Sequence, residues 1–178
     1  MANCATATLY GIKTNCDTSK GGIKAIWISN YSKNNATITN ESEDKKSINI
    51  TSTSGWLYFY TKKNTTSFTS TLTVDPANGV NYVTTVLSVV FNRMDIEKQR
   101  SMAALSVNDL NIVVQDSNDN FWYLGIDNPV YATSATGETG TAKTDGNKYT
   151  IEFTDDSNTY PMVLNTTSAN LMKSIAKQ

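Results

Sequence analysis

The sequence predicts a mainly β (α+β) fold: an antiparallel β-sandwich or flattened barrel with one flanking amphipathic helix and a long polar loop or hairpin. Three observations carry this. Thr, Asn and Ser make up roughly a third of the 178 residues, and β-branched Thr suits strands while Asn and Ser suit turns. Short runs that alternate apolar and polar residues recur along the chain, each closed by a turn signal. Only one stretch, Asp95 to Val107, is rich in helix formers. A chain of this length can bury about two-thirds of its unfolded surface, so a single domain over 1–178 is expected, with a protruding loop or hairpin at 33–54 and a C-terminal arm or short helix at 166–178.

The first strand is expected in Gly22 to Tyr31, GIKAIWISNY. Ser32 to Ser54 is polar and holds the charge run Glu41 to Lys46, with isoleucine only at Ile38, Ile48 and Ile50. It reads as a long loop or an exposed hairpin with little core of its own. Trp56 to Lys62 reads as a strong strand and Phe68 to Val74 as a half-exposed one. Asp75 to Gly79 forms a turn. Tyr82 to Phe91 is the longest strand and is expected to be central, with Val83, Thr85, Leu87, Val89 and Phe91 facing the core.

At Asp95 the period changes from two to that of a helix. Asp95 is the expected N-cap, with Ile96, Arg100, Ala103 and Val107 along one side and Met102 and Leu105 beside them, and the helix is expected to pack on the sheet through Leu105 and its neighbours. Leu110 to Gln115 and Phe121 to Ile126 form a hairpin around a five-residue loop. Val130 to Ala132 is a short strand, and Tyr149 to Thr154 alternates cleanly. Asp155 to Asn158 is expected to turn the chain. A last short helix is expected on Leu171, Met172 and Ile175, with Ser168 as its cap.

Composition excludes much chemistry. There is no His, which removes imidazole bases and His-ligated metals. Two cysteines, Cys4 and Cys16, cannot complete a four-ligand zinc site alone. Met1 to Thr8 lacks the charged and apolar regions of a signal peptide, so both are expected as free thiols in a reducing cytosol rather than as a disulfide. A net charge of -1 lacks the basic footprint of a nucleic-acid binder, and no apolar run approaches a membrane span. The expectation is a protein that is not an enzyme and takes no cofactor or metal.

Four residue groups remain candidates for function. Asp116, Asn118, Asn120 and Asp127 fit some positions of a calcium loop, but Phe121 stands where that loop needs Gly and Asp127 where it needs a bidentate Glu. Paired carboxylates can run glycoside hydrolysis, but Glu152 on a strand followed by Asp155 and Asp156 in the expected turn is an ordinary arrangement, and nothing in the sequence places a cleft between them. Trp56, Tyr58 and Tyr60 share one face of a strand; the row either packs in the core or an interface, or stacks a sugar or base. The charges Arg93, Asp95, Glu97, Lys98 and Arg100 cluster at the helix start. With Glu41, Lys45 and Lys46, they form either a solvated surface or ion pairs between subunits.

The order of elements from Tyr82 to Asn165 is distinctive: strand, Arg93 ahead of an Asp-x-Glu-Lys helix start, a hairpin ending in Leu124-Gly125, Gly137-Glu-Thr-Gly140-Thr141-Ala142, Asp145-Gly146-Asn147, and the strand Tyr-Thr-Ile-Glu-Phe. It resembles the tail tube proteins of tailed bacteriophages. The opening GIKTNCDTSKGGIKAIWISNY is similar to the start of structural proteins from crAss-like phages. The resemblance implies a β-sandwich with a flanking helix, assembled with copies of itself into rings of a tail tube or head-tail connector. DNA would pass transiently through the lumen. It further implies neighbouring tail or connector proteins as partners, no membrane, and assembly into the virion in the host bacterial cytoplasm.

Composition agrees independently, because a basic lumen would hold DNA back, whereas a near-neutral, hydroxyl-rich wall would not. Asn34 to Ser54 is then expected as an assembly element ordered by a neighbouring subunit. The alternatives are a capsid decoration or other virion protein and, from a different class, a carbohydrate-binding module using Trp56, Tyr58 and Tyr60.

Overall fold

The computed structural model describes residues 11–12, 18–42, 45–62 and 64–175. Cys4 and Cys16 lie outside them, and so does the question of their pairing. The described residues form eleven strands and two helices, with 48% strand and 14% helix in antiparallel sheets. The expected mainly β, sandwich-like class is the observed one. Three layers build it: a four-stranded sheet, a five-stranded sheet, and a cover of one hairpin and one helix.

The middle layer is β1 (Ile23–Asn30), β4 (Leu57–Phe59), β7 (Leu110–Asp116), β8 (Phe121–Leu124) and β11 (Met162–Val163), in the order β11-β8-β7-β1-β4. Strands β1 and β7 are buried along nearly their whole lengths. Ile26, Ile28, Ile112 and Val114 point into one core and Trp27, Val113, Phe121 and Tyr123 into a second. Unbroken apolar runs are what a strand covered on both faces requires. The expected strand at Trp56 to Lys62 is shorter than its sequence suggests, pairing with β1 only through Leu57, Tyr58 and Phe59.

The second sheet is β5 (Ser67–Asp75), β6 (Val80–Asn92), β9 (Tyr131–Glu138) and β10 (Lys148–Ser157), in the order β5-β6-β10-β9. Strand β6 is the longest and is central, and Val83, Thr85, Leu87, Val89 and Phe91 are its inward, buried residues, as the alternation predicts. Two strands run further than expected. Strand β9 continues through Ser134 to Glu138, and β10 continues through Asp155 to Ser157, paired to Thr85, Thr84 and Val83 of β6. The expected turn at Asp155 is therefore absent. Buried Asp155 accepts hydrogen bonds from the Gly125 N–H at 3.2 Å and the Ser157 hydroxyl at 3.1 Å.

Helix α1 (Ile96–Val107) starts at Asp95, whose carboxylate accepts the Lys98 N–H at 2.8 Å. The cap is as expected, and so is packing on the sheet through Leu105. Met102 and Leu105 are buried in the inter-sheet core, while Ile96 and Val107 are 70% and 80% exposed. These two β-branched residues stand at the helix ends, and the largest flexible side chains of the middle turns fill the core instead.

The third layer overturns the expectation of a 33–54 segment with little core. Strands β2 (Thr37–Ser42) and β3 (Lys45–Asn49) form a hairpin. Ala36, Ile48 and Ile50 are buried with Trp27, Trp56 and Tyr123. Helix α2 (Thr166–Ser174) covers the same core through Met172. Its cap is Asn165, accepting the Ser168 N–H at 2.8 Å, and not Ser168. Ser168 is fully buried one turn in, and its hydroxyl takes the Ile50 N–H at 2.7 Å. The Asn165 N–H in turn donates to the Ile48 carbonyl at 3.0 Å. Sparse isoleucines suffice here because a second element, far away in sequence, closes over them.

Candidate assembly surfaces

The outer face of the β5-β6-β10-β9 sheet is covered by no other layer among the described residues. Cross-strand registers place Thr69, Val86, Thr154 and Tyr131 in one row and Ser67, Ser88, Glu152 and Ser134 in the next. Thr71, Thr84 and Asp156 make a third. Alternation puts all of these opposite the inward-facing core set. Hydroxyls hold both carboxylates: Thr84 donates to Asp156 at 2.7 Å, Tyr131 to Asp156 at 3.2 Å and Ser134 to Glu152 at 3.1 Å. Lys148 is the only cation in the four strands, and it pairs with Glu138 at 2.8 Å. The surface is a hydroxyl-rich plane with a weak negative charge.

This sheet also has two long edges. Strands β5 and β9, nine and eight residues long, each pair on one side only among the described residues. Neither contains Pro or Lys, the residues that usually deter pairing at an edge, although β9 has one bulge opposite Glu152 and Phe153. All neighbouring strands in the sheet are antiparallel. A β5 edge laid beside a β9 edge of a rotated copy would continue that alternation.

The charged residues proposed as interface contacts divide into groups. Asp95 and Lys98 form an ion pair with each other. Hydrogen bonds from the Lys98 side chain and backbone, together with its charge and that of Arg93, hold the Asp95 carboxyl below the usual range. Arg93, Glu97 and Arg100 are exposed and make no salt bridge among the described residues. Arg93 sits at φ 63, a left-handed conformation uncommon for a bulky residue. Asn147 holds it there, accepting the Arg93 N–H at 2.7 Å on its backbone carbonyl and the Met94 N–H at 2.6 Å on its side chain. Lys46 is exposed on β3, while the side chains of Glu41 and Lys45 lie outside the described residues.

The three other candidate groups come apart. Trp56 is buried against Tyr123, with ring centroids 6.2 Å apart. Tyr58 and Tyr60 meet edge to face at 83°, so the row presents no flat platform for a sugar ring. Asp116 serves its own turn, accepting from the Asn118 and Asn120 backbone, the Asn120 amide and the Trp122 indole. Partial burial works against its ionisation, and these bonds nevertheless hold its carboxyl below the usual range. Asp127 is engaged elsewhere, accepting the Asn158 N–H at 3.0 Å. Glu152 and Asp155 point to opposite faces of β10, whereas Asp156 shares the outer face with Glu152.

Sequence reading missed the sheet edges and the Thr/Ser plane as one surface. The alternation of Thr with Val in Tyr82 to Phe91 and Phe68 to Val74 was the available signal. Among the described residues no helix is long and apolar enough to cross a membrane, and no three His, Cys, Asp or Glu residues are grouped to hold a metal ion. Compared with known proteins, the chain matches no family model, no curated protein and no solved structure.

Proposed function

We propose that this chain is a virion structural protein that assembles with copies of itself into rings forming a phage tail tube or head-tail connector channel. The observation that carries the reading is the four-stranded sheet, with its two unpaired edges and its uncovered Thr/Ser face. Edge-to-edge pairing of β5 with β9 closes such sheets into a ring without new secondary structure. The uncovered face then lines the lumen. DNA passing over it meets hydroxyls, Glu152 and Asp156, and no free cation among the described residues, so there is no row of phosphate contacts to retain it. Neighbouring tail or connector proteins would contact the ends of the ring. The virion is the site of action.

Negative-stain electron microscopy of the purified full chain tests this. The expected particle is a ring, single or stacked, with a stain-filled lumen. A population that remains monomeric at high concentration, or forms trimers without a lumen, contradicts it.

A further inference from the structure

One end of the four-stranded sheet is drawn out into an arm. Strand β10 ends at Ser157, opposite Val83 of β6, whereas β6 begins three residues earlier, at Val80. Beyond Val83, β5 and β6 pair only with each other among the described residues: Thr73 with Tyr82, Val74 with Asn81 and Asp75 with Val80. Three residues of strand carry the arm about 10 Å past the sheet before the turn. Leu72 and Val74 continue the buried face and are 43% and 55% exposed, and Val80 and Tyr82 continue the outer face and are exposed as well. A two-stranded hairpin with neither face packed is marginal in water. The tip is nevertheless held, because Asp75 accepts the Ala77 and Asn78 N–H groups and the Asn78 side-chain amide.

The two ends of this sheet differ in charge. Tyr131 pairs with Thr154, and Gly125 donates to Asp155, at the end that carries the arm. Residues 72–82, 125–131 and 155–161 there include Asp75, Asp127, Asp155 and Asp156 and no Lys or Arg. The opposite end, where β6 leads into α1 and β9 leads into β10, holds Arg93, Lys98, Lys143 and Lys148, with Lys62 beside Gly146. Lys98 and Lys148 pair locally with Asp95 and Glu138, and Asp145 serves its own turn by accepting the Thr141 and Ala142 N–H groups. Arg93, Lys143 and Lys62 are exposed and make no ion pair among the described residues, with Glu97 the acid left over. Ile96 stands next to them, 70% exposed. One end thus offers bare apolar side chains among anions, and the other a bare apolar side chain among cations.

We propose that the β5–β6 arm of one copy docks on the opposite end of the four-stranded sheet in a second copy, its apolar side chains around Ile96 and its acidic base facing Arg93, Lys62 and Lys143. The two patches lie at opposite ends of one chain, so the contact is head-to-tail and repeats without closing when copies are stacked along the strands. The arm follows the strands and the ring runs across them, which puts this contact between successive rings and not within one. The proposal rests on the ring reading for the cross-section of the stack, and it selects a stacked tube over a single connector ring.

Negative-stain microscopy compares the full chain with one in which Asn-Gly replaces residues 74–81, a two-residue turn that closes Thr73 onto Tyr82. The full chain should form columns, and the trimmed chain single rings with the columns lost. Point variants at exposed positions make the same test without shortening the chain. Val74→Lys alone and Ile96→Glu alone should each abolish stacking, and the two together in one chain should restore it. Trimmed rings that stack as far as those of the full chain, or a full chain that gives only single rings, overturn the docking and leave the ring standing. Head-to-tail filaments without a lumen that vanish on trimming uphold the docking and sink the ring. A full chain that stays monomeric overturns both.

Discussion

In the five-stranded sheet, β1 and β7 are buried on both faces and their sequences run apolar almost without a break. In the four-stranded sheet, β5 and β6 alternate Thr and Ser with Val, Leu and Phe, and only one face is buried. The first sheet has spent its surface on folding, between the inter-sheet core and the cover of β2, β3 and α2. The second keeps a broad face and two edges outside the fold. A monomer gains little from two long edges without Pro or Lys. An assembly that pairs those edges and exposes that face to a lumen uses both.

The largest expected effect contrasts the two faces of the four-stranded sheet. Phe153 is fully buried between the sheets, and Phe153→Ala should destabilise by about 3–5 kcal/mol. Thr69→Ala, on the outer face of the same sheet, should change stability by about 0.5 kcal/mol or less. Urea unfolding of the two variants measures the difference. Similar losses in both would mean that the outer face is packed.

The next effect tests whether the cover layer belongs to the monomer. Ile48 is 0% exposed, so Ile48→Ala should cost about 2–5 kcal/mol in a subunit that has not assembled. An unchanged melting temperature would return the hairpin to the role its polar sequence suggests, ordered only by a neighbour. Helix α1 gives the same test of its register. Leu105→Ala should cost about 2–5 kcal/mol, whereas Ile96→Ala, at a 70% exposed site, should be close to neutral.

A smaller, pH-dependent effect comes from Asp155, at the end of β10. Burial pushes its carboxyl up to about 6 against hydrogen bonds from Gly125 and Ser157, with Asp127 and Asp156 adding repulsion. The folded protein therefore binds this proton more tightly than the unfolded chain. Stability falls as pH rises from about 4 to 6, by about 3 kcal/mol at most. Asp155→Asn should flatten the profile in that window, measured by urea unfolding from pH 4.5 to 7.5. Identical slopes in the two proteins would count against a buried, ionisable Asp155. Asp95 and Asp116, whose carboxyls are held below the usual range, work in the opposite sense. Their stabilisation is present above the ordinary carboxylate range and is lost at lower pH.

Much of this fold was legible where one residue pattern had one physical outcome. The alternation of β6, the Asp95 cap and the β7–β8 hairpin stand where their residues placed them. Reading failed where partners distant in sequence decided. Ser134 to Glu138 is small and polar, yet pairing along β10 makes it strand. Asp155 and Asp156 look like turn residues, yet ten residues of ladder to β6 carry the strand through them. Trp56 belongs to an aromatic row whose sequence allows either packing or a ligand platform, and the ring of Tyr123, distant in sequence, decides for packing. The interface charges were legible only as a cluster, because Asp95 and Lys98 are neighbours on one helix turn and pair locally. The sheet edges were invisible, since an edge is a property of strand order.

The central claim is that β5 and β9 are the edges through which copies join, and hydrogen exchange in the free and the assembled protein tests it most directly. In the free subunit the outward amides of β5 and β9 should exchange quickly, while those of β6 and β10 are protected. In the ring, both edge strands should become protected together. Rings in which β5 and β9 exchange as fast as in the free subunit would contradict the account.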